Sequence, residues 1–197
     1  MTEQTTQKKY ELLKDDTVEH FGTTLYRIKA LITFGLVGAG QLGGYIETEK
    51  NLDHSGNAWV YDNALVYGDA RVYGNACVYD NALVYGDARV YGNAQVYGNA
   101  RVFGNAWMCG NARVFGNAWV RSFAVISERK MIFWASNVGS ENGTLTVSNG
   151  KFGLIVTRGC FTGTVDEFLS KSKEVHDDKT HHEYKLLIEV AQSRILN

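Results

Sequence analysis

The sequence predicts an all-β solenoid: a triangular parallel β-helix carrying a small N-terminal β cap and a C-terminal α+β module made of a hairpin and two helices. Three observations predict it. One six-residue phrase recurs without insertion or deletion, restarting at Val60, Val66, Val72, Val78, Val84, Val90, Val96, Val102, Met108, Val114, Val120 and Ile126. Residues 60–77 and 78–95 match at every position but the last, Cys77 against Gln95, so a period of 18 is built from periods of 6. Such periods belong to stacked coils rather than to layered domains. Zero prolines and 21 glycines suit hydrogen-bonded ladders with tight corners.

Within the phrase, position one is aliphatic and position five is alanine, from Ala64 and Ala70 through Ala118 and Ala124. That leaves one large and one small inward side chain on each side of a coil. Positions three and four are mostly Gly-Asn, Gly-Asp or Asp-Asn, which tolerate the positive φ of a sharp corner. Three sides close a coil of 18 residues, and coils stack by parallel ladders about 4.8 Å apart. This text resembles the left-handed parallel β-helix of the hexapeptide-repeat family, known mainly from acyltransferases. The left hand is implied by the resemblance and runs against the usual right-handed crossover; the spacing implies a prism and not its hand.

In chain order, residues 1–35 form a tail and β cap. The first eight residues read as a disordered tail. Tyr10-Glu-Leu-Leu, Thr17-Val-Glu-His-Phe and Thr24-Leu-Tyr-Arg-Ile read as short strands, with Gly22 at a turn. A cap is needed because the open end of a β-helix presents unpaired strand edges. The prism is expected over residues 36–130. Counting back from Val60 in sixes places His54, Thr48, Leu42 and Leu36 at position one and Ala58, Leu52, Ile46 and Gly40 at position five. Gly38, Gly40, Gly43 and Gly44 then loosen the first turn; no Gly-Lys-Ser/Thr follows, so they are not a phosphate loop. The stretch Gly40-Gln-Leu-Gly-Gly-Tyr-Ile-Glu, with Asn51-Leu and Gly56-Asn-Ala-Trp-Val, is similar to the opening segment of uncharacterised hexapeptide-repeat proteins of phages and prophages. Residues 131–197 make the C-terminal module. Met131-Ile-Phe-Trp-Ala is one strand, and Asn149-Gly150 marks a hairpin between Thr144-Leu-Thr-Val-Ser and Lys151-Phe-Gly-Leu-Ile-Val-Thr. Two helices follow, opened by the capping boxes Thr164-Val-Asp-Glu and Thr180-His-His-Glu. The first is expected to bury Val165, Phe168, Leu169 and Val175, the second Tyr184, Leu187, Ile188, Ala191 and Ile195. Three roles are open to the module: capping the last coil, oligomerisation, or carrying the activity.

The net charge of −1 argues against nucleic acid as a partner. Three cysteines without Cys-x-x-Cys spacing suggest neither a disulfide framework nor a zinc site, and the expected home is a reducing cytoplasm. The first residues lack the apolar core of a signal peptide and no apolar run is long enough to span a bilayer, so no membrane role is expected.

The resemblance implies acyl transfer, in which a histidine reaching into a groove between prisms of a trimer acts as general base. Of the five histidines, His20, His54, His176, His181 and His182, none lies within the regular coils. His54 alone is near them and is the catalytic candidate, although its position reads as inward and packed. No looped insertion interrupts residues 60–126, so a non-enzymatic role is expected, without metal or cofactor. His176-Asp177-Asp178 and His181-His182 fall between the two helices, where a solvated turn accounts for them. Cys77 and Cys109 lie at outward positions with no histidine nearby in sequence.

The outward surface carries the functional expectation. Position two places Tyr61, Tyr79, Tyr97 and Phe115 on one side, Tyr67, Tyr85 and Phe103 on the second, and Tyr73 and Tyr91 on the third. Stacking explains most of them, but three aromatic faces exceed what a soluble monomer exposes. Tyr61, Tyr79, Tyr97 and Phe115, with Phe168 and Leu187, are therefore the expected interface of a dimer or trimer. Arg71 and Arg89, one coil apart, are the expected phosphate contacts of a bound ligand, with Tyr73 and Tyr91 placed for a base. The leading expectation is an oligomeric binding protein; the phage-type resemblance implies action on a host component such as an antiviral defence system. The alternatives are a β-helix that sequesters a nucleotide in an intersubunit groove, and an atypical acyltransferase.

Overall fold

The computed structural model describes residues 8–195; apart from Lys8, the expected tail lies outside the described residues. Strands β1 (Tyr10–His20) and β2 (Thr23–Ala30) form an antiparallel hairpin turned at Phe21-Gly22, both with positive φ. β2 pairs antiparallel with β3 (Leu42–Ile46), and β3 opens the prism. Twelve two-residue strands follow: β4 to β9 at Trp59–Val60, Leu65–Val66, Arg71–Val72, Cys77–Val78, Leu83–Val84 and Arg89–Val90, then β10 to β15 at Gln95–Val96, Arg101–Val102, Trp107–Met108, Arg113–Val114, Trp119–Val120 and Val125–Ile126. They stack in parallel as three faces, β3-β5-β8-β11-β14, β4-β7-β10-β13 and β6-β9-β12-β15. The first face is extended by the β1-β2 hairpin into a seven-stranded sheet.

The hexad chemistry accounts for this. Val60, Val78, Val96 and Val114 pair in register, and each is fully buried, as is every position-five alanine from Ala58 to Ala124. Position three takes positive φ at each corner, 54° at Asp62 and 69° at Gly92 for example. At Gly92 a Cβ would lie 2.9 Å from the Gly110 nitrogen, so the coil-to-coil approach there needs glycine. Position-four amides run as a ladder from Asn57 to Asn75, Asn93 and Asn111, each Nδ2 donating to the next Oδ1 at 3.2–3.4 Å.

The register counted back from Val60 fails before Trp59. Ile46 pairs with Val66 and Leu52 with Val72, a spacing of twenty residues in place of eighteen. Ile46 and Leu52 therefore take the inward position-one places, while Leu42 and Leu36 are exposed. The two extra residues lie between Leu52 and Val60, which are eight apart in place of six, while Ile46 and Leu52 keep the six-residue step across a 3-10 turn at Glu49–Asn51. Asn51 makes that turn affordable: it is fully buried, and its Nδ2 donates to the carbonyls of Gly68 and Ala70, both at 2.9 Å.

Each end of the prism is plugged. Tyr10, Ile28 and Ala30 of the hairpin join the prism core, and the Tyr10 hydroxyl donates to the Leu52 carbonyl at 2.7 Å. At the other end a four-stranded antiparallel sheet, β16 (Ile132–Val138), β17 (Gly143–Gly150), β18 (Gly153–Arg158) and β19 (Phe161–Thr164), leans on the last coil. Asn149 and Gly150 are not the hairpin turn; they pair with Leu154 and Gly153, and Lys151-Phe152 turns the chain. The reason is docking: Asn149 Nδ2 donates to the Val125 carbonyl at 3.2 Å and Gly150 bridges Ala124, so the strand runs on to meet the prism.

Helix α1 (Val165–Val175) opens with the capping box of Thr164 and Glu167, as the sequence implies. Helix α2 (Asp178–Ile195) starts before Thr180: the Asp177 carboxylate accepts from the Thr180 backbone N–H at 2.8 Å and caps it. Phe168 and Ser172 are buried on α1 whereas Val175 is exposed; Tyr184, Ile188, Ala191 and Ile195 are buried on α2. They form a second core with Leu145, Val147 and Val156 of the sheet. Among the described residues no helix is long and apolar enough to cross a membrane.

Candidate functional site

The face built by β6, β9, β12 and β15 presents Arg71, Arg89, Trp107 and Val125 as one outward column, since each precedes an inward residue in register. At its N-terminal end lies a depression of about 470 Å³ whose lining includes Glu49, Asp53, His54, Arg71, Tyr73 and Arg89. Three of the four residues expected to hold a ligand therefore line one concavity together with His54. The fourth, Tyr91, lies beneath Tyr73, the two rings stacked at 4.8 Å and 3°. The stack covers one face of each ring, and of the two only Tyr73 lines the depression.

Arg71 and Arg89 are both exposed and occupy adjacent strands of one ladder. Neither forms an ion pair with a carboxylate among the described residues, not even with Asp69 or Asp87 two positions earlier. Like charges directly opposite in a ladder are destabilising. The Arg89 guanidinium sits 5.3 Å from the Trp107 ring centre, a cation–π contact that orients it without neutralising it. The acids of the depression are otherwise engaged: Glu49 accepts from Lys8 Nζ at 2.8 Å, and Asp53 Oδ1 accepts from the Ser55 N–H at 2.8 Å. The Lys8 bond, with His54 nearby, holds the Glu49 carboxyl below its ordinary range. The arrangement suits an anion gripped by two guanidinium groups beside an aromatic face.

His54 is a structural pin. Its ring stacks on Tyr10 at 4.3 Å and 16°. Nδ1 accepts the Lys9 backbone N–H at 3.2 Å, and Nε2 is buried, 3.5 Å from the Glu49 carboxylate. One lone pair is thus occupied and the other nitrogen is shut away from solvent, which leaves no free base for a substrate.

Behind this wall Lys9 is buried, its Nζ donating to the Ala58 carbonyl at 2.9 Å and lying 4.9 Å from the Phe34 ring centre. Burial pushes its ammonium down from 10.5 to about 8. The unfolded chain keeps this proton up to pH 10.5, so the penalty is fully present below pH 8 and is relieved as pH rises from 8 towards 10.5. The tyrosines act oppositely. Burial, reinforced by Tyr85, pushes Tyr67 from 10.0 up to about 12, so its contribution is complete below pH 10 and lost above it. Chemical denaturation should show stability rising between pH 8 and 10 and falling beyond, and Lys9→Met should flatten the rise. A flat wild-type profile from pH 8 to 10 would contradict the buried charge.

The other expected site residues fall elsewhere. Tyr79, Tyr97 and Phe115 stack at 4.7 and 4.9 Å on the face of β4, β7, β10 and β13, ending against Trp134, whereas Tyr61 packs against the prism core. Phe168 is buried in its own module between Phe161 and Tyr184, so it offers nothing to a second subunit; Leu187 packs half-buried on the same cluster. The sequence reading missed Glu49 and Asp53, whose place depends on the irregular first coil. It also missed the grouping of Trp107, Phe123 and Phe152, which the 18-residue column of Arg71 could have signalled for Trp107 alone.

Comparison with known families adds one finding: a sequence model of the YdcK beta-solenoid repeat matches residues 58–74, 70–86, 76–92, 94–110 and 108–122. The text and fold together define a repeat β-solenoid protein, and these segments are similar to that repeat. No curated protein matches the chain.

Proposed function

We propose that the chain is a non-enzymatic binding protein that holds a phosphate-bearing ligand, a nucleotide among the first to test, in the Arg71–Arg89 depression. The observation that supports this most is the pair of guanidinium groups one strand apart, free of carboxylate partners among the described residues, beside the Tyr73 ring. His54 lends no support to the acyltransferase alternative, because neither ring nitrogen is available. The finer reading, a phage-type hexapeptide-repeat protein working in a host cytoplasm against a host component, rests on the resemblance of its opening segment and hexads. Sequestration of a nucleotide is one way such a protein would act. Self-association to a dimer or trimer belongs to the same proposal and is supported by the aromatic outer faces; sedimentation equilibrium showing only a 21.9 kDa species would remove it.

Calorimetry with a panel of nucleotides tests the ligand. Each charge-assisted contact contributes about 1.5–3 kcal/mol, so the Arg71→Ala, Arg89→Ala double variant should lose at least tenfold in affinity. Binding that survives the double variant unchanged, or no heat from any nucleotide or inorganic phosphate, counts against the proposal.

A further inference from the structure

Beyond Arg89 the same face changes character. Trp107 and Val125 continue the column, and with Phe123, Asn105 and Lys151 they line a second hollow of about 360 Å³. Trp107, Phe123 and Phe152 are 42%, 49% and 83% exposed, an unusual concentration of bare aromatic surface. Phe123 lines the far side of this hollow, and Phe152 meets it edge to face at 6.3 Å from outside. The two hollows are neighbours on one face: the Arg89 guanidinium that lines the first packs against the Trp107 ring that lines the second. Along this face strands are spaced about 4.8 Å apart, so the apolar stretch from Arg89 to Val125 is about 10 Å long.

We infer that the two hollows form one trough for a soluble phosphate ester carrying an apolar group, its phosphate on Arg71 and Arg89 and its hydrocarbon laid over Trp107 towards Phe123 and Val125. This rests on the anion-binding reading above and extends it to the ligand's other half. Charge complementarity selects the occupant: an uncharged hydrophobe leaves two adjacent guanidinium groups unpaired, and a bare anion leaves the aromatic end wet. Trp107 and Phe123 are about half covered and line a hollow, which suits a single free molecule better than a lipid surface.

The test is calorimetry with inorganic phosphate, methyl phosphate, butyl phosphate and hexyl phosphate, and with vesicles of phosphatidylcholine containing phosphatidic acid. Affinity should rise about two- to fourfold per methylene from methyl to hexyl. A Phe123→Ala, Val125→Thr double variant, away from the contact of Arg89 with Trp107, should keep methyl phosphate binding and lose the chain-length gain; Phe152→Ser, which removes the ring that meets Phe123 edge to face, should lose part of it. Thermal melts of each variant separate lost binding from lost folding, and Phe152→Ser retains a readout if the double variant fails to fold. Equal affinity for methyl and hexyl phosphate overturns the trough while leaving the anion site standing. Vesicle capture without binding of any soluble ester also overturns it. If no phosphate compound binds at all, both readings fall together.

Discussion

Val78→Asp should abolish the cooperative fold. Val78 is fully buried and paired in register with Val60 and Val96. The neighbouring inward positions along the coils are aliphatic residues and alanines, so a carboxylate there meets no cation or donor. An unpaired buried charge lies in the most destabilising class of substitution, above about 4–5 kcal/mol, against a typical domain stability of about 5–15 kcal/mol. Val78→Ala, which removes volume without adding charge, should cost about 2 kcal/mol and leave the fold in place. The comparison matters because the prism is nearly one-dimensional: each coil contacts only its neighbours, so a break in the middle separates two stacks too short to stand alone. Far-UV circular dichroism through a thermal melt checks both variants. A Val78→Asp protein with the wild-type transition would contradict the buried column.

The second large effect is expected at Trp59, the largest of the fully buried side chains. It fills the junction between cap and first coil, edge-on to Tyr10 at 6.0 Å and to Phe34 at 5.3 Å. Trp59→Ala should cost about 3–5 kcal/mol through the cavity it leaves. Its Nε1 has no hydrogen-bond partner among the described residues, so Trp59→Phe should cost far less, about 1–2 kcal/mol. Denaturant titration separates the two, and hydrogen exchange in β1 and β2 should accelerate in the alanine variant, because the cap loses its largest anchor. Equal costs for Ala and Phe would show that the indole nitrogen matters in a way its surroundings do not suggest.

The hexads were legible because their chemistry is local: a valine, an alanine and a positive-φ corner recur every six residues, and Val60, Val78, Val96 and Val114 stack as the spacing requires. The first coil was not legible in the same way. Ile46 and Leu52 reach the inward column because two extra residues lie between Leu52 and Val60, and the turn from Ile46 to Leu52 is held by Asn51, whose two carbonyl partners lie 17 and 19 residues further on. No periodic count anticipates that. Asn149-Gly150 failed as a turn for a related reason: a strong local preference was overridden by a docking contact to Val125. At the site, Arg71, Arg89 and Tyr73 were legible from their shared face. The depression around them was not, because its wall is the irregular segment carrying Glu49, Asp53 and His54. The surroundings of His54 were not legible either, since only folding brings a backbone N–H to one ring nitrogen and buries the other.

The most direct measurement is mass spectrometry of whatever small molecules accompany the protein through purification or after incubation with cell extract, released by denaturation and compared between wild type and the Arg71→Ala, Arg89→Ala variant. A phosphate-bearing compound present near one per chain in the wild type and depleted at least tenfold in the variant is the predicted result. A wild-type protein that retains no such compound, or equal amounts in both proteins, would contradict a binding role for this face.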